Sequence, residues 1–223
     1  MRVLFVVLRV LAAAAIAAAI VGQLQRSLTF ETDTPGWSAG LVLSNFFSFF
    51  TIDSNTLSVV TLLIGAGLLL AGRRVDPRWF ALLRVSTTTY MVVTGIVYNT
   101  LLRGIPLPQG QTVEWSNEIL HVAGPILLLL DWLFAPGRAR LEWRAIGVIV
   151  AFPIVWAIYT LVRGAIFVDP ITGTNWYPYP FLNPELSPLG YVSVAFYVVL
   201  IAAIIGLVGA GAIWISRRGA RTA

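Results

Sequence analysis

Six apolar runs, each near or above twenty residues, constrain this chain more than any other feature. They cover roughly 3–24, 45–71, 79–102, 116–135, 144–167 and 189–215. A helix rises about 1.5 Å per residue, so each run is long enough to cross a hydrocarbon core of about 30 Å. The chain is 58% hydrophobic and only 11% charged, too little polar material to coat a water-soluble domain of this size. The expectation is an all-α polytopic membrane protein, a single integral membrane domain over residues 1–223 built as a six-transmembrane-helix bundle. Short connections between the runs make neighbouring helices antiparallel. No room is left for a soluble domain, and no internal repeat is visible.

Composition removes several kinds of chemistry. There is no cysteine, which excludes disulfides, thiol nucleophiles and thiolate metal sites. One histidine cannot supply a multi-histidine zinc site or paired haem ligands. No metal and no cofactor are expected; a carboxylate-rich site using Asp53, Glu118 and His121 is the weaker alternative. The net charge is +5 and every basic residue is arginine. These arginines flank the apolar runs, so membrane topology explains them and no nucleic-acid partner is implied.

The first run, "MRVLFVVLRVLAAAAIAAAIVGQ", has the basic start and small residues of a signal peptide. It is long for that role and Arg9 interrupts it, so a retained helix is the preferred reading. Arginine placement then orients the bundle. Arg2 and Arg9, then Arg73, Arg74, Arg78 and Arg84, then Arg138, Arg140 and Arg144, and finally Arg217, Arg218 and Arg221 all fall on one side of six crossings. The other side has Arg26, Arg103 and Arg163, and collects Glu31, Asp33, Glu114, Asp169 and Glu185. The positive-inside rule places both termini in the cytoplasm of a cell whose inner (plasma) membrane holds the protein.

Polar residues enter the spans in a pattern. In "SNFFSFFTIDSNTLS", Ser44, Ser48, Thr51, Asn55 and Ser58 recur at spacings of four and three and share one helical face. The third span carries Thr87, Thr94, Tyr98 and Asn99; the fourth carries Glu114, Asn117, Glu118 and His121; the fifth carries Trp156, Tyr159, Thr160 and Arg163. Thr51, Asn99, His121 and Arg163 lie at one depth, about 6–8 Å below the outer surface. A shared cavity open to the outer leaflet follows. For Ser44, Ser48 and Ser58 the plainer reading is helix packing. Asp131, beside Trp132, reads as an interfacial anchor, and Arg103 as an interface residue. The connection "DPITGTNWYPYPFLNPELSP" carries Trp176, Tyr177, Tyr179 and Phe181, which serve either as a lid over the cavity or as an ordinary aromatic belt.

Histidine suits general-base work near neutral pH, and a hydroxyl is the nucleophile left when cysteine is absent. Thr51 and Ser48 are the hydroxyls at matching depth. Glu118, three residues before His121, is placed to tune or orient the ring. Asn55 and Arg163 are candidates to stabilise developing negative charge. Asn99 and Asn117 complete the polar level, with Ser48, Tyr98, Tyr159, Tyr179 and Phe181 as expected substrate-lining residues. From spacing alone, hydrolase chemistry is permitted and no more.

The segments "FFSFFTIDSNTLSVV", "YNTLLRG", "WSNEILHVAGPILLLLDWLF", "YTLVRG" and "WYPYPFLNP" together resemble the bacterial Pr6Pr family of small polytopic membrane proteins. That family is similar to the animal androgen-induced, FAR-17a-like membrane proteins. The resemblance runs from about residue 5 to 215, with Trp115, Asn117, His121 and Pro125, and Tyr179 to Leu182, as its closest motifs. The animal relatives are threonine hydrolases acting on fatty acid esters of hydroxy fatty acids. The resemblance implies His121 as base and Thr51 as nucleophile. The spacing around Thr51 departs from the animal pattern, with Asp53 two residues on and Asn55 four, which leaves Ser48 or Ser54 open for the role. The expected partners are membrane lipid and a lipid ester substrate. A small-solute or proton-coupled transporter and a non-catalytic structural protein are the alternatives. The apolar stretches "VVTLLIGAGLLLAG" and "PILLLL" argue against a path through the membrane.

Overall fold

A computed structural model describes residues 2–32, 36–105, 111–170 and 172–218, except the side chains of Glu31 and Thr32. Asp33, Arg221 and the Glu31 side chain, all part of the charge count above, lie outside the described residues. The helices are α1 (Arg2–Thr32), α2 (Ala39–Phe46), α3 (Phe50–Leu70), α4 (Arg78–Leu102), α5 (Glu114–Phe134), α6 (Ala145–Ile166) and α7 (Tyr191–Arg217). All except α2 are long and apolar enough to cross a membrane. No strand occurs among the described residues, only one isolated bridge between Val168 and Asn175. The protein is an all-α, multi-pass membrane protein.

Helix α4 runs through the middle, its residues the most enclosed of the six spans. On one side α1, α3 and α5 close around Ala12, Ala13, Ile16, Ala19, Leu62, Met91 and Leu120. On the other, α6 and α7 pack around Val85, Tyr90, Ile149, Ile205 and Ile213. The alanines of α1 let its backbone approach α3 closely, while Val3, Leu4, Val7 and Leu11 face outward, as lipid-facing side chains must.

The expected second span divides in two. Ser38 caps α2 by accepting from the Leu41 N–H at 3.2 Å, and the chain turns at Phe47–Phe49 before α3 begins. At that turn the indole Nε1 of Trp156 donates to the Ser48 carbonyl at 3.1 Å. An acceptor that a continuous helix would have used internally is thereby satisfied by a side chain of α6. The predicted five-residue stripe is broken as a result: Ser44 is exposed on α2, while Ser48, Thr51, Asn55 and Ser58 are buried. Ser58 bonds within its own helix, to the Ser54 carbonyl at 2.8 Å, and the α3–α4 seam is joined by hydroxyls outside the stripe, Ser54 to Thr94 at 3.1 Å and Thr61 to Thr87 at 2.9 Å.

Both interior prolines free a carbonyl, and α4 supplies a donor each time. Proline has no N–H for the residue four places earlier. Pro153 leaves the Ile149 carbonyl, which the Tyr90 hydroxyl reaches at 2.8 Å. Pro125 leaves the His121 carbonyl, which the Asn99 side chain reaches at 3.2 Å. Just before Pro125, α5 widens into a π turn over Ile119–Ala123, and the Gly124 N–H goes to the Ile119 carbonyl. The Leu120 carbonyl is taken instead by Asn55 Nδ2 at 3.1 Å.

The end at which α1 starts and α7 finishes is tied by charges inside the protein. Arg9 donates to both oxygens of Asp131, at 2.7 and 3.1 Å. Arg84 bridges Asp131 and Asp76, at 3.1 and 2.8 Å. All four residues are buried. This corrects the reading of Asp131 as an interfacial anchor, and removes Arg9 and Arg84 from the set of simple flanking charges. Two positive and two negative groups neutralise one another, which is what allows them to leave water. Asp76 lies in the α3–α4 connection, where burial raises its carboxyl above the usual range against the opposing pull of Arg84.

Candidate active site

Between α3, α4, α6 and α7 lies a cavity of about 350 Å³, closed at one end by the connection before α7. This is within the ~300–1,000 Å³ typical of small-molecule sites. Its walls are aliphatic and aromatic, with Pro153, Ala157, Ile201 and Ala202 contributing from α6 and α7. Among the described residues no charged side chain lines it. The hydroxyls in its wall are those of Thr51, Thr94, Tyr98 and Tyr179, and Thr94 is already bonded to Ser54.

Thr51 is the second residue of α3, nearer the helix start than the depth estimate placed it. The Tyr179 hydroxyl lies 3.2 Å from its backbone N–H and 3.3 Å from its Oγ1. Tyr179 is held by Phe49 and stacks on Phe181 at 5.2 Å, nearly parallel. Burial pushes the Tyr179 hydroxyl up to about 12, so it keeps its proton at neutral pH and remains a donor. Of the two readings of the aromatic connection, the cover over the cavity is the one its packing fits: Tyr179, Phe181 and Leu182 all line it.

His121 is one side chain removed from this cavity. Its ring stacks on Tyr98 with centroids 4.0 Å apart, and Tyr98 lines the cavity while His121 does not. Nδ1 lies 3.0 Å from the Asn117 carbonyl. A carbonyl can only accept, so Nδ1 carries the proton and Nε2 keeps the lone pair, the tautomer a general base requires. Asn117 Nδ2 donates to the Tyr98 hydroxyl, so one residue positions both stacked rings.

Other expected site residues have different occupations. Glu118 does not orient His121: it faces Arg103, whose Nη2 reaches both carboxylate oxygens at 2.7 and 2.8 Å in an exposed pair. Spacing of three along an ordinary helix pointed Glu118 toward His121, and the π turn that begins between them alters that register. Arg163 does not face the cavity. It donates to Asn45 Oδ1 at 2.6 Å and its guanidinium lies 4.7 Å from the ring centroids of both Phe167 and Trp176. The amide nitrogen of Asn55 is committed to the Thr51 and Leu120 carbonyls at 2.9 and 3.1 Å, and Asn99 to the Gly95 and His121 carbonyls. Both asparagines hold the backbone that presents Thr51 and His121, a positioning role in place of the expected oxyanion contact. Ser48 is buried but bonds the Ser44 carbonyl and the Tyr159 hydroxyl, outside the cavity lining; Tyr159 itself is exposed. Ser54 likewise points to the Thr51 carbonyl and Thr94. Among the described residues no group of three or more histidines, aspartates and glutamates is gathered as a metal site would need.

Sequence reasoning missed the walls from α6 and α7, because Ala157, Val198 and Ala202 are indistinguishable from lipid-facing residues in a chain this apolar. It also missed the paired charges. Their signal was present: Arg9, Arg84 and Asp131 interrupt apolar spans with opposite signs at similar distances from the same end.

No protein-family model, no curated protein and no solved structure matches this chain.

Proposed function

We propose that this protein is an intramembrane hydrolase of lipid esters, with Thr51 as nucleophile and His121 as base. The observation that carries this reading is the Thr51 hydroxyl in the wall of a tail-sized apolar cavity, beside a protonated Tyr179 hydroxyl. An acyl chain lying between α4, α6 and α7 brings its ester carbonyl to Thr51. Thr51 Oγ1 bonds to the carbonyl carbon while its proton passes to Nε2 of His121, a water beside Tyr98 carrying it between the two. Tyr179 donates to the oxyanion. The carbon–oxygen bond to the alcohol then breaks and His121 returns the proton to the leaving alkoxide. Water, deprotonated by the same imidazole, releases the acyl group from Thr51. The resemblance to Pr6Pr and to the animal threonine hydrolases favours the same two residues.

The transporter alternative draws no support from a cavity without charged lining, or from Glu118 paired with Arg103 on the exposed surface. The orientation belongs to the same proposal. With Arg9 and Arg84 removed from the count as internally paired, Arg2, Arg73, Arg74, Arg78, Arg138, Arg140, Arg144, Arg217 and Arg218 still outnumber Arg26, Arg103 and Arg163. This favours cytoplasmic termini and a site toward the outer face of the inner membrane.

The test is labelling by a fluorophosphonate and turnover of fatty acid esters by purified protein and by Thr51→Ala and His121→Ala. If the two side chains act as a unit, each variant loses about 10³-fold or more. Undiminished labelling and turnover in both variants refutes the assignment.

A further inference from the structure

The end of the bundle at which α1 starts gathers cations at one corner. Gly72, at φ +74°, reverses the chain where α3 finishes, and the Arg73 N–H returns to the Leu68 carbonyl at 3.1 Å. Further along the same connection, the Asp76 N–H donates to the Gly137 carbonyl at 2.7 Å. The backbone carrying Arg73 and Arg74 is thereby pinned on both sides. Arg2, from the start of α1, reaches the carbonyls of Gly72 and Arg73 at 3.4 and 3.3 Å. Arg78 follows at the start of α4, whose first turn has no acidic side chain. All four arginines are exposed.

No carboxylate of the described residues balances them. Those at this end are Asp76, Asp131 and Glu142, and they are already paired, with Arg84, Arg9 and Arg144 respectively. The side chains of Arg73, Arg74 and Arg78 make no hydrogen bond or ion pair among the described residues, and Arg2 meets only backbone. The carbonyl end of a helix carries about half a negative charge, enough to draw Arg2 in but not to offset four guanidiniums. Topology accounts for an excess of arginine at one end of the bundle. It does not account for four of them converging on one corner of α1, α3 and α4 with no counter-charge, where they repel one another.

Guanidinium favours phosphate, which it meets with two parallel donors. The corner stands where the spans end, at the level of lipid headgroups, and the side chains beside it are apolar and exposed: Leu70 at the close of α3 and Trp79 at the opening of α4. Cations above an apolar flank match a phosphate that carries acyl chains. We propose that this corner binds the headgroup of an anionic phospholipid, with Arg2, Arg73, Arg74 and Arg78 around the phosphate and the acyl chains along Leu70 and Trp79.

The experiment is native mass spectrometry of the protein released from nanodiscs of equal phosphatidylglycerol and phosphatidylcholine, with glycerol phosphate titrated separately into phosphatidylcholine nanodiscs. The expected result is retention of phosphatidylglycerol over phosphatidylcholine by about tenfold. Arg73→Gln and Arg74→Gln each reduce that preference severalfold. Arg218→Gln removes the same charge at the same end, from α7, which packs on α4 and α6, and leaves the preference unchanged. Equal retention of the two lipids overturns the proposal. So do equal losses at all three positions, which show attraction to net charge alone, and a preference indifferent to Arg73→Gln and Arg74→Gln. Saturable binding of glycerol phosphate without lipid retention assigns the corner to a soluble anion and overturns it as well. Thr51→Ala keeps the preference, which separates this result from the hydrolase assignment.

Discussion

Arg9 and Asp131 are 122 positions apart in sequence and meet at 2.7 Å inside the bundle, joining α1 to α5. Arg84 shares the same carboxylate, so removing its charge leaves two buried guanidiniums facing one remaining aspartate. Asp131→Asn is expected to destabilise the protein by about 3–5 kcal/mol, the cost of breaking a buried pair from one side. Adding Arg9→Gln restores neutrality and recovers part of the loss. Thermal unfolding in detergent of the two variants measures both effects, and equal stability of Asp131→Asn and the parent contradicts the network's role.

Gly65 makes that pairing possible. A Cβ at this position would come within 2.6 Å of Arg9 Nη1 and 2.9 Å of the Phe80 ring. Gly65→Ala is expected to cost about 1–3 kcal/mol by overpacking. Gly67, two residues on, has nothing within 4 Å of the corresponding Cβ. Gly67→Ala is expected to be neutral or to stabilise slightly, by up to about 1 kcal/mol. Comparison of the two unfolding midpoints is the check.

Tyr90 and Pro153 form a matched pair across the α4–α6 interface. Tyr90→Phe leaves the Ile149 carbonyl buried without a donor, at a cost of about 1–3 kcal/mol. Pro153→Ala supplies a backbone N–H to the same carbonyl. The loss from Tyr90→Phe is therefore expected to shrink in a Pro153→Ala background, which a double-mutant cycle on unfolding free energies will show.

Ala202 lines the large cavity from α7, away from Thr51. Ala202→Phe fills acyl space without touching the hydroxyls. Turnover of long-chain esters is expected to fall by about tenfold or more while short-chain esters are retained, since one or two buried methylenes already change binding by that factor. Chain-length profiles of the purified variant and parent decide it; parallel profiles place the acyl chain elsewhere.

The six spans, their all-helical character and the crowding of arginines at one end were determined by sequence alone, because burial in hydrocarbon demands long uninterrupted apolar helices whatever their neighbours. Thr51, Tyr98, Tyr179 and Phe181 were also legible, as polar or aromatic residues near the ends of spans. Tertiary structure decided what those residues touch. It turned Glu118 toward Arg103 through a π turn, removed Arg163 to the aromatic connection, set Tyr98 between His121 and the cavity, and closed a pocket with aliphatic residues of α6 and α7. Helical periodicity tells which residues share a face, but not which face meets which partner. In a chain apolar on every side, only packing and the pairing of a few buried polar groups select among the possible arrangements.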